Sequence, residues 1–272
     1  MLRDITLGQY YQAESVIHRL DPRVKLAATM LFIISLFVFH GATGYLVAAA
    51  FLAVVIKLSK VPFRYMVKGM KAILFLLLIT VVFNLFLTPG DPLFSIWKLT
   101  ITKQGVRTAV FLAIRLSFLI IGSSIMTLTT TPNQLTDGLE RMLKPLNRVK
   151  VPVHEIAMMM SIALRFIPIL MEETDKIMKA QIARGADFES GNLIKKAKSL
   201  VPLLVPLFIS AFRRANDLAM AMEARCYRGG EHRTKMKPLH YHKRDVVAYF
   251  CIAAYLVIGV LAERLAGMVF VL

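Results

Sequence analysis

Residues 106–128 read VRTAVFLAIRLSFLIIGSSIMTL, a run of 23 residues charged only at Arg107 and Arg115. A helix that crosses a hydrocarbon core of about 30 Å needs about 20 mostly apolar residues, so this stretch reads as a membrane span. Working outward from it, four more stretches read the same way: Val24–Phe39, Tyr45–Ile56, Ala72–Leu87 and Asp245–Phe270. The expected fold class is therefore an all-α membrane protein with about five transmembrane helices. Composition agrees, since 57% of the chain is hydrophobic, above the roughly 45–50% apolar content of soluble domains. The first two spans are short. The Gly41-Ala42-Thr43-Gly44 turn between them predicts a tight hairpin in which glycine relieves the backbone. The Met1–Lys25 segment carries seven charged side chains and no apolar h-region, so it does not read as a signal peptide.

A formal charge of +17 raises nucleic acid as a partner, but its distribution argues for a bilayer instead. Twenty of the 34 Lys and Arg lie between Pro132 and Arg244. The loop from Lys57 to Lys71 holds Lys57, Lys60, Arg64, Lys68 and Lys71, and the N-terminal arm holds Arg3, Arg19, Arg23 and Lys25. The turn at 40–44 has no Lys or Arg, and the Pro89–Gln104 connection has only Lys98 and Lys103. Basic and neutral connections thus alternate in register with the spans, the positive-inside pattern. It predicts a multi-pass protein of the cell membrane with a cytoplasmic N-terminus and an external C-terminus. The chain then divides into an arm with four spans (1–131), a cytoplasmic module (132–244) and a last span (245–272).

Within the external connection, Pro89-Gly90-Asp91-Pro92 breaks the chain and Leu99–Thr102 has the makings of a short strand. In the cytoplasmic module, Thr131, Pro132 and Gln134 read as an N-cap, a first-turn proline and a capping-box partner. After a break at Pro145–Val153, a second helix is expected from about His154 to Arg184, with Gly185 as its stop. A third is expected from about Ser199 to Arg225, ending before Gly229-Gly230. Both begin apolar, over Ile156–Met171 and Leu200–Phe212, and end charged. These runs of 16 and 13 residues are shorter than a normal span of about 20. They read as amphipathic or re-entrant helices under the membrane, although a hairpin of two further spans leaves the flanking topology unchanged.

The usual enzymatic signatures are missing. There is no G-x-x-x-x-G-K-[ST] phosphate loop and no H-E-x-x-H. His240 and His242 share a side only in a strand, and a basic loop is a poor strand. Cys226 and Cys251 are too far apart in sequence to suggest a zinc site or a disulfide framework. Glu172, Glu173 and Asp175 beside Lys176 and Lys179 read as a solvated, salt-bridged helix face.

Two motifs stand out because they share a context. Ala183-Arg184-Gly185 ends the second cytoplasmic helix and Ala224-Arg225-Cys226 ends the third. Taken singly, each arginine is explained by the negative end of a helix dipole and its open carbonyls. Their recurrence beside small residues points further, to protruding arginine tips that dock on a partner through a rigid, forked donor.

These motifs, with Ser15-Val16-Ile17-His18-Arg19-Leu20-Asp21-Pro22-Arg23 near the start and Leu164-Arg165-Phe166-Ile167-Pro168 between them, resemble the transmembrane T components of energy-coupling-factor (ECF) transporters. The resemblance covers nearly the whole chain, and the ordered set is far more specific than any single tripeptide. It implies a non-catalytic coupling subunit of an ATP-binding-cassette importer for a vitamin or micronutrient. Two cytoplasmic ATPases would carry ATP and magnesium, and this chain would bind no cofactor. A small membrane-embedded S component, dedicated or exchangeable, would bind the substrate. Carried over residue by residue, Arg184 and Arg225 would each insert into one ATPase, with Ala183, Gly185 and Ala224 as matching neighbours. Cys226 departs from the Ala-Arg-Gly pattern, with Gly229 and Gly230 supplying a break nearby. Nine of the fifteen methionines lie between Pro132 and Arg244. They suit either a helical core or a surface that repacks against several S components. The alternative function from another class is a membrane-protein insertase or assembly factor with an amphipathic cytoplasmic hairpin.

Arg115 lies about 13 Å into its span, a depth at which an arginine usually faces protein or water. Asn84 and backbone carbonyls are its candidate partners, with snorkelling to the outer surface as the alternative.

Overall fold

A computed structural model describes residues 10–39, 41–96, 99–188, 194, 198–230, 236 and 238–269. Arg3, His40, Lys98, Lys195 and His232 lie outside the described residues. The chain is organised as helices α1 (Pro22–Val38), α2 (Ala42–Ser59), α3 (Phe63–Leu87), α4 (Lys103–Thr129), α5 (Pro132–Leu143), α6 (Val153–Ala183), α7 (Val201–Ala224) and α8 (Lys243–Val269). A two-stranded antiparallel ribbon, β1 (Pro92–Ile96) with β2 (Leu99–Thr102), joins α3 to α4. All five expected spans are therefore helices, and Leu99–Thr102 is the strand its sequence suggested. By length and composition, four described helices can cross a membrane: Ala42–Ser59, Lys103–Thr129, Val153–Ala183 and Lys243–Ala266; α6, expected to lie under the membrane, is thus one of them, whereas α1 and α3 are not. The protein is an all-α, multi-pass membrane protein.

Two details differ from expectation. The basic stretch from Lys57 to Lys71 is not one loop, because α3 already begins at Phe63, directly after Pro62 in its N-cap. At the α1–α2 turn, neither Gly41 nor Gly44 adopts a positive φ. Glycine at 44 is needed for close approach instead: a Cβ there would lie 2.9 Å from Phe39 Cβ. Gly122 and Gly259 make the same kind of room for Phe32 and Phe39. Lipid tails are as apolar as leucine, so helices in a bilayer gain little from hiding apolar surface. They associate through close packing, which small residues permit.

The chain divides into two compact units, one of residues 1–7 and 139–238, the other of 8–138 and 239–272. In the second unit, α1, α2, α4 and α8 close on a core that includes Phe32, Leu36, Phe39, Tyr45 and Tyr255. Ser35 Oγ and Tyr255 Oη bond at 2.6 Å within it, and Phe51 stacks on Tyr255 with ring centroids 4.4 Å apart. Thr102 caps α4, accepting from the Gly105 N–H at 3.0 Å while donating to the Thr88 carbonyl at 2.9 Å.

At the end of that unit where α1 and α8 begin, charges are tied inward. Asp21 caps α1, accepting from the Arg23 N–H and pairing with its guanidinium at 2.8 Å. That guanidinium also lies 3.9 Å over the Tyr241 ring. Burial alone would raise the Asp21 pKa, but the Arg23 hydrogen bonds hold it below its ordinary value. Asp245, buried, accepts from the Asp21 N–H and the His242 N–H, each at 2.8 Å. Lys25, also buried, donates to the carbonyls of Thr129 and His18 at 2.8 and 3.1 Å. His18 Nε2 lies 2.9 Å from the Tyr11 carbonyl, which can only accept, so that nitrogen carries the proton and Nδ1 accepts from Ser15 at 2.7 Å. Burial lowers the His18 pKa and the Lys25 charge adds to it, against the Tyr11 hydrogen bond, which raises it.

Candidate coupling site

The unit of residues 1–7 and 139–238 presents both arginine motifs. Helix α5, which leads into this unit from the other, starts as the sequence requires. The Gln134 N–H bonds Thr131 Oγ1 at 3.3 Å and the Thr131 N–H bonds Gln134 Oε1 at 3.1 Å, the reciprocal pair expected ahead of α5. A 3-10 turn over Lys144–Val149 and a left-handed Lys150 then break the chain. Helix α6 runs unbroken through Pro168, and α7 through Pro206.

Helices α6 and α7 pack antiparallel. Gln181, near the end of α6, donates to the Pro202 carbonyl at the start of α7 at 3.2 Å. Met158 and Ile162, near the start of α6, share a cavity with Leu218 and Met222 near the end of α7. Between these, Arg214 Nη2 bonds Glu173 Oε2 at 2.7 Å. Glu173 thus bridges the two helices through Arg214, while the neighbouring Lys176 charge also acts on it, as the local charged face suggested. The sequence signal for such a pair is weak, since its members are 41 residues apart.

The antiparallel arrangement puts Arg184 and Arg225 at opposite ends of the pair. Each lies eleven residues beyond its own member of the Glu173–Arg214 bridge. At 1.5 Å per residue that places the two tips on the order of 33 Å apart. The backbone delivers them identically. Arg184 and Arg225 are the C-cap residues, with φ −90° and −92°. After Arg184, the Gly185 N–H bonds the Ile182 carbonyl and the Ala186 N–H bonds the Gln181 carbonyl. After Arg225, the Cys226 N–H bonds the Glu223 carbonyl and the Tyr227 N–H bonds the Met222 carbonyl. Both are Schellman caps, which need a left-handed residue just past the C-cap. Gly185 supplies it at φ +86° and Cys226 at φ +55°. Cys226 therefore replaces glycine without changing the turn.

Ala183, Arg184, Gly185, Ala224, Arg225 and Cys226 are all exposed. Neither arginine makes an ion pair among the described residues. Their surroundings differ. Nothing lies within 4 Å of where a Gly185 Cβ would be, whereas Arg225 borders a cavity of about 450 Å³ lined by Met158, Ile162 and Met222. An apolar stripe on α7, Val201, Leu204, Val205, Phe208, Ile209 and Phe212, is exposed at helical spacing, as are Met159, Met160 and Met220.

Arg115 belongs elsewhere. Its Nε donates to Tyr45 Oη at 2.7 Å and its Nη2 to the Phe39 carbonyl at 3.5 Å. A backbone carbonyl is indeed a partner. Asn84 is not, because its amide bonds the Thr80 carbonyl on its own helix. Sequence reasoning missed Tyr45, and it missed Glu263, whose Oε1 accepts from the Gly41 N–H at 2.7 Å and caps α2 from the last helix. It used Asp21 and Arg23 only as parts of a motif and a basic arm, and did not foresee their contacts with Asp245 and Tyr241. Asp21-Pro22 did carry a legible signal, a cap residue before a first-turn proline. Among the described residues no cluster of His, Cys, Asp or Glu could hold a metal ion.

Residues 13–236 match the family model CbiQ, described as a cobalt transport protein. The energy-coupling factor transporter transmembrane protein EcfT of Clostridium kluyveri is 57% identical over 266 residues, covering 97% of this chain and 98% of that protein. EcfT of Thermosediminibacter oceani is 54% identical, covering 97% and 99%. EcfT of Bacillus subtilis is 45% identical, covering 94% and 98%.

Proposed function

We propose a role that proceeds from one premise: the chain belongs to the CbiQ family of cobalt transport proteins, together with the EcfT transmembrane proteins. It is the transmembrane component of an ECF transporter. In our reading it is a non-catalytic coupling subunit, carrying motion from two ATP-binding-cassette ATPases to a membrane-embedded, substrate-binding S component that takes up a vitamin or micronutrient. ATP and magnesium sit on the ATPases. In this reading the N-terminus is cytoplasmic and α6 and α7 serve the cytoplasmic side, although α6 is also long and apolar enough to cross the bilayer. The insertase alternative has no support in this family.

The observation that carries the reading is the pair of identical caps. Each fixes an exposed arginine at the last turn of a long helix, and the two arginines point from opposite ends of one antiparallel pair. One rigid body with two separated tips is what two ATPases moving against each other would need to grip. The exposed apolar stripe on α7 supports a membrane-embedded partner, because a face of this size is rarely left bare. The exposed methionines on α6 and α7 favour a surface that repacks against exchangeable S components.

The test is uptake and ATPase copurification for Arg184→Ala, Arg225→Ala and the double variant, each normalised to membrane-inserted protein. Loss of both readouts in the double variant is expected; near-normal values would return the motifs to plain helix capping. Orientation has its own check. External thiol reagents should reach a cysteine placed at Gly90 and miss one placed at Lys60, and the reverse would overturn the topology.

A further inference from the structure

The bundle of α1, α2, α4 and α8 leaves a laterally open, apolar groove of about 690 Å³. Phe32, Phe51, Ile252 and Tyr255 line it, and its rim includes exposed Val54 and Val247. Two cations border it, Lys25 and Arg244, both at the end where α1 and α8 begin, and no acidic residue does. Lys25 is held in place there by the Thr129 and His18 carbonyls, with the Asp21 and Asp245 carboxylates acting on it from behind the lining. Arg244 is exposed. From Arg244 to Ile258, at the other end of the lining, α8 rises about 21 Å. That spans one leaflet's share, about 15 Å, of a hydrocarbon core.

The groove is thus an amphiphile's shape in negative: basic at one end, apolar for the length of a fatty chain, and open sideways to the bilayer. An apolar partner helix would have no use for the paired cations. We propose that this groove is a binding site for one anionic phospholipid, its acyl chain along α8 and its phosphate at Arg244 in the field of Lys25. The site is separate from the arginine tips and does not depend on the ATPase reading.

The experiment uses the full chain in a neutral detergent, with thermal unfolding followed as phosphatidylglycerol or phosphatidylcholine of the same acyl composition is added. Phosphatidylglycerol should stabilise at lower concentration. Arg244→Gln should remove about fivefold of that preference, the factor of one basic contact worth about 1 kcal/mol. Ala254→Trp, which fills the exposed side of the groove, should blunt the response to both lipids. If the tryptophan variant does not fold, Arg244→Gln still decides the matter. Equal responses to the two lipids, or an unchanged preference in Arg244→Gln, would overturn the proposal. So would an inorganic phosphate titration that reproduces the phosphatidylglycerol shift, since the acyl groove would then be irrelevant. Cys251 lines the groove and is exposed. In a Cys226→Ser chain, a fluorophore on Cys251 should be quenched by brominated phosphatidylglycerol. A crosslink from Cys251 to a helix of another subunit in the intact complex would assign the groove to protein and sink the idea.

Discussion

The Arg184 and Arg225 ends of the helical pair are built to one plan from different residues. Both arginines are C-caps, and the next two N–H groups bond back to the same relative carbonyls. Yet one cap turns on Gly185 and the other on Cys226; among the described residues nothing lies within 4 Å of where a Gly185 Cβ would be, while Arg225 borders an apolar cavity. The lesson is that the backbone turn is the constant feature and glycine only its cheapest occupant. In the proposed role, each partner would meet an arginine at a fixed angle, with different neighbours beside it.

The largest effect that would separate the two ends is on ATPase binding. Losing a desolvated charged contact costs about 2–5 kcal/mol, so the double alanine variant should abolish uptake. If both tips dock as proposed, the single variants should differ, because only Arg225 borders the cavity lined by Met158 and Met222. A bulky change at that cavity, Met158→Trp, should weaken ATPase copurification when Arg225 is the remaining tip and have no effect when Arg184 is. Equal responses would mean that the cavity plays no part in docking.

A smaller effect isolates the turn itself. Gly185→Ala forces a Cβ into the left-handed region, at about 1–2 kcal/mol, with no steric clash to confuse the result. Cys226→Ala exchanges one side chain for another in the same conformation and should be close to neutral. Thermal unfolding of the two variants checks the difference. If Gly185→Ala were as mild as Cys226→Ala, glycine at 185 would be there for the partner and not for the cap.

Cys226→Gly runs the comparison in reverse. Relief of left-handed strain, about 1–2 kcal/mol, is partly offset by the extra freedom that glycine gives the unfolded chain, about 0.4–1 kcal/mol. A net stabilisation of about 0.5–1 kcal/mol is expected, with uptake retained. Loss of uptake in this more stable chain would show that the thiol itself serves the partner.

Much of this was legible in the sequence, for local reasons. A span is readable because about 20 apolar residues in a row have few other uses, and Thr131-Pro132-Gln134 because a capping box is contained within four residues. The Arg184 turn was readable from Gly185. The Arg225 turn was obscured by Cys226, since a left-handed non-glycine residue has no reliable sequence mark. What stayed hidden depends on contacts distant in sequence. Arg115 meets Tyr45 across 70 positions and Gly41 meets Glu263 across 222. Asp245 reaches Asp21 across 224. Nothing within either neighbourhood announces its partner. The antiparallel order of α6 and α7, which sets the arginines apart, is a tertiary fact of the same kind.

The smallest expected effect concerns what holds the two ends together. The Glu173–Arg214 bridge lies eleven residues from each arginine tip, so weakening it should touch both ends alike. Its side chains are 27% and 40% exposed, and ion pairs as accessible as this contribute little after screening and the cost of ordering two long side chains. A double-mutant cycle of Glu173→Ala and Arg214→Ala, read by thermal unfolding, should give a small coupling that shrinks with added salt. Uptake should survive, because the Gln181–Pro202 contact and the apolar packing at Met158 and Met222 still join the helices. A large, salt-insensitive coupling would mean that water is excluded from the bridge. If uptake then failed in both single variants, the bridge would be a pivot that keeps the two tips in step, not one contact among several.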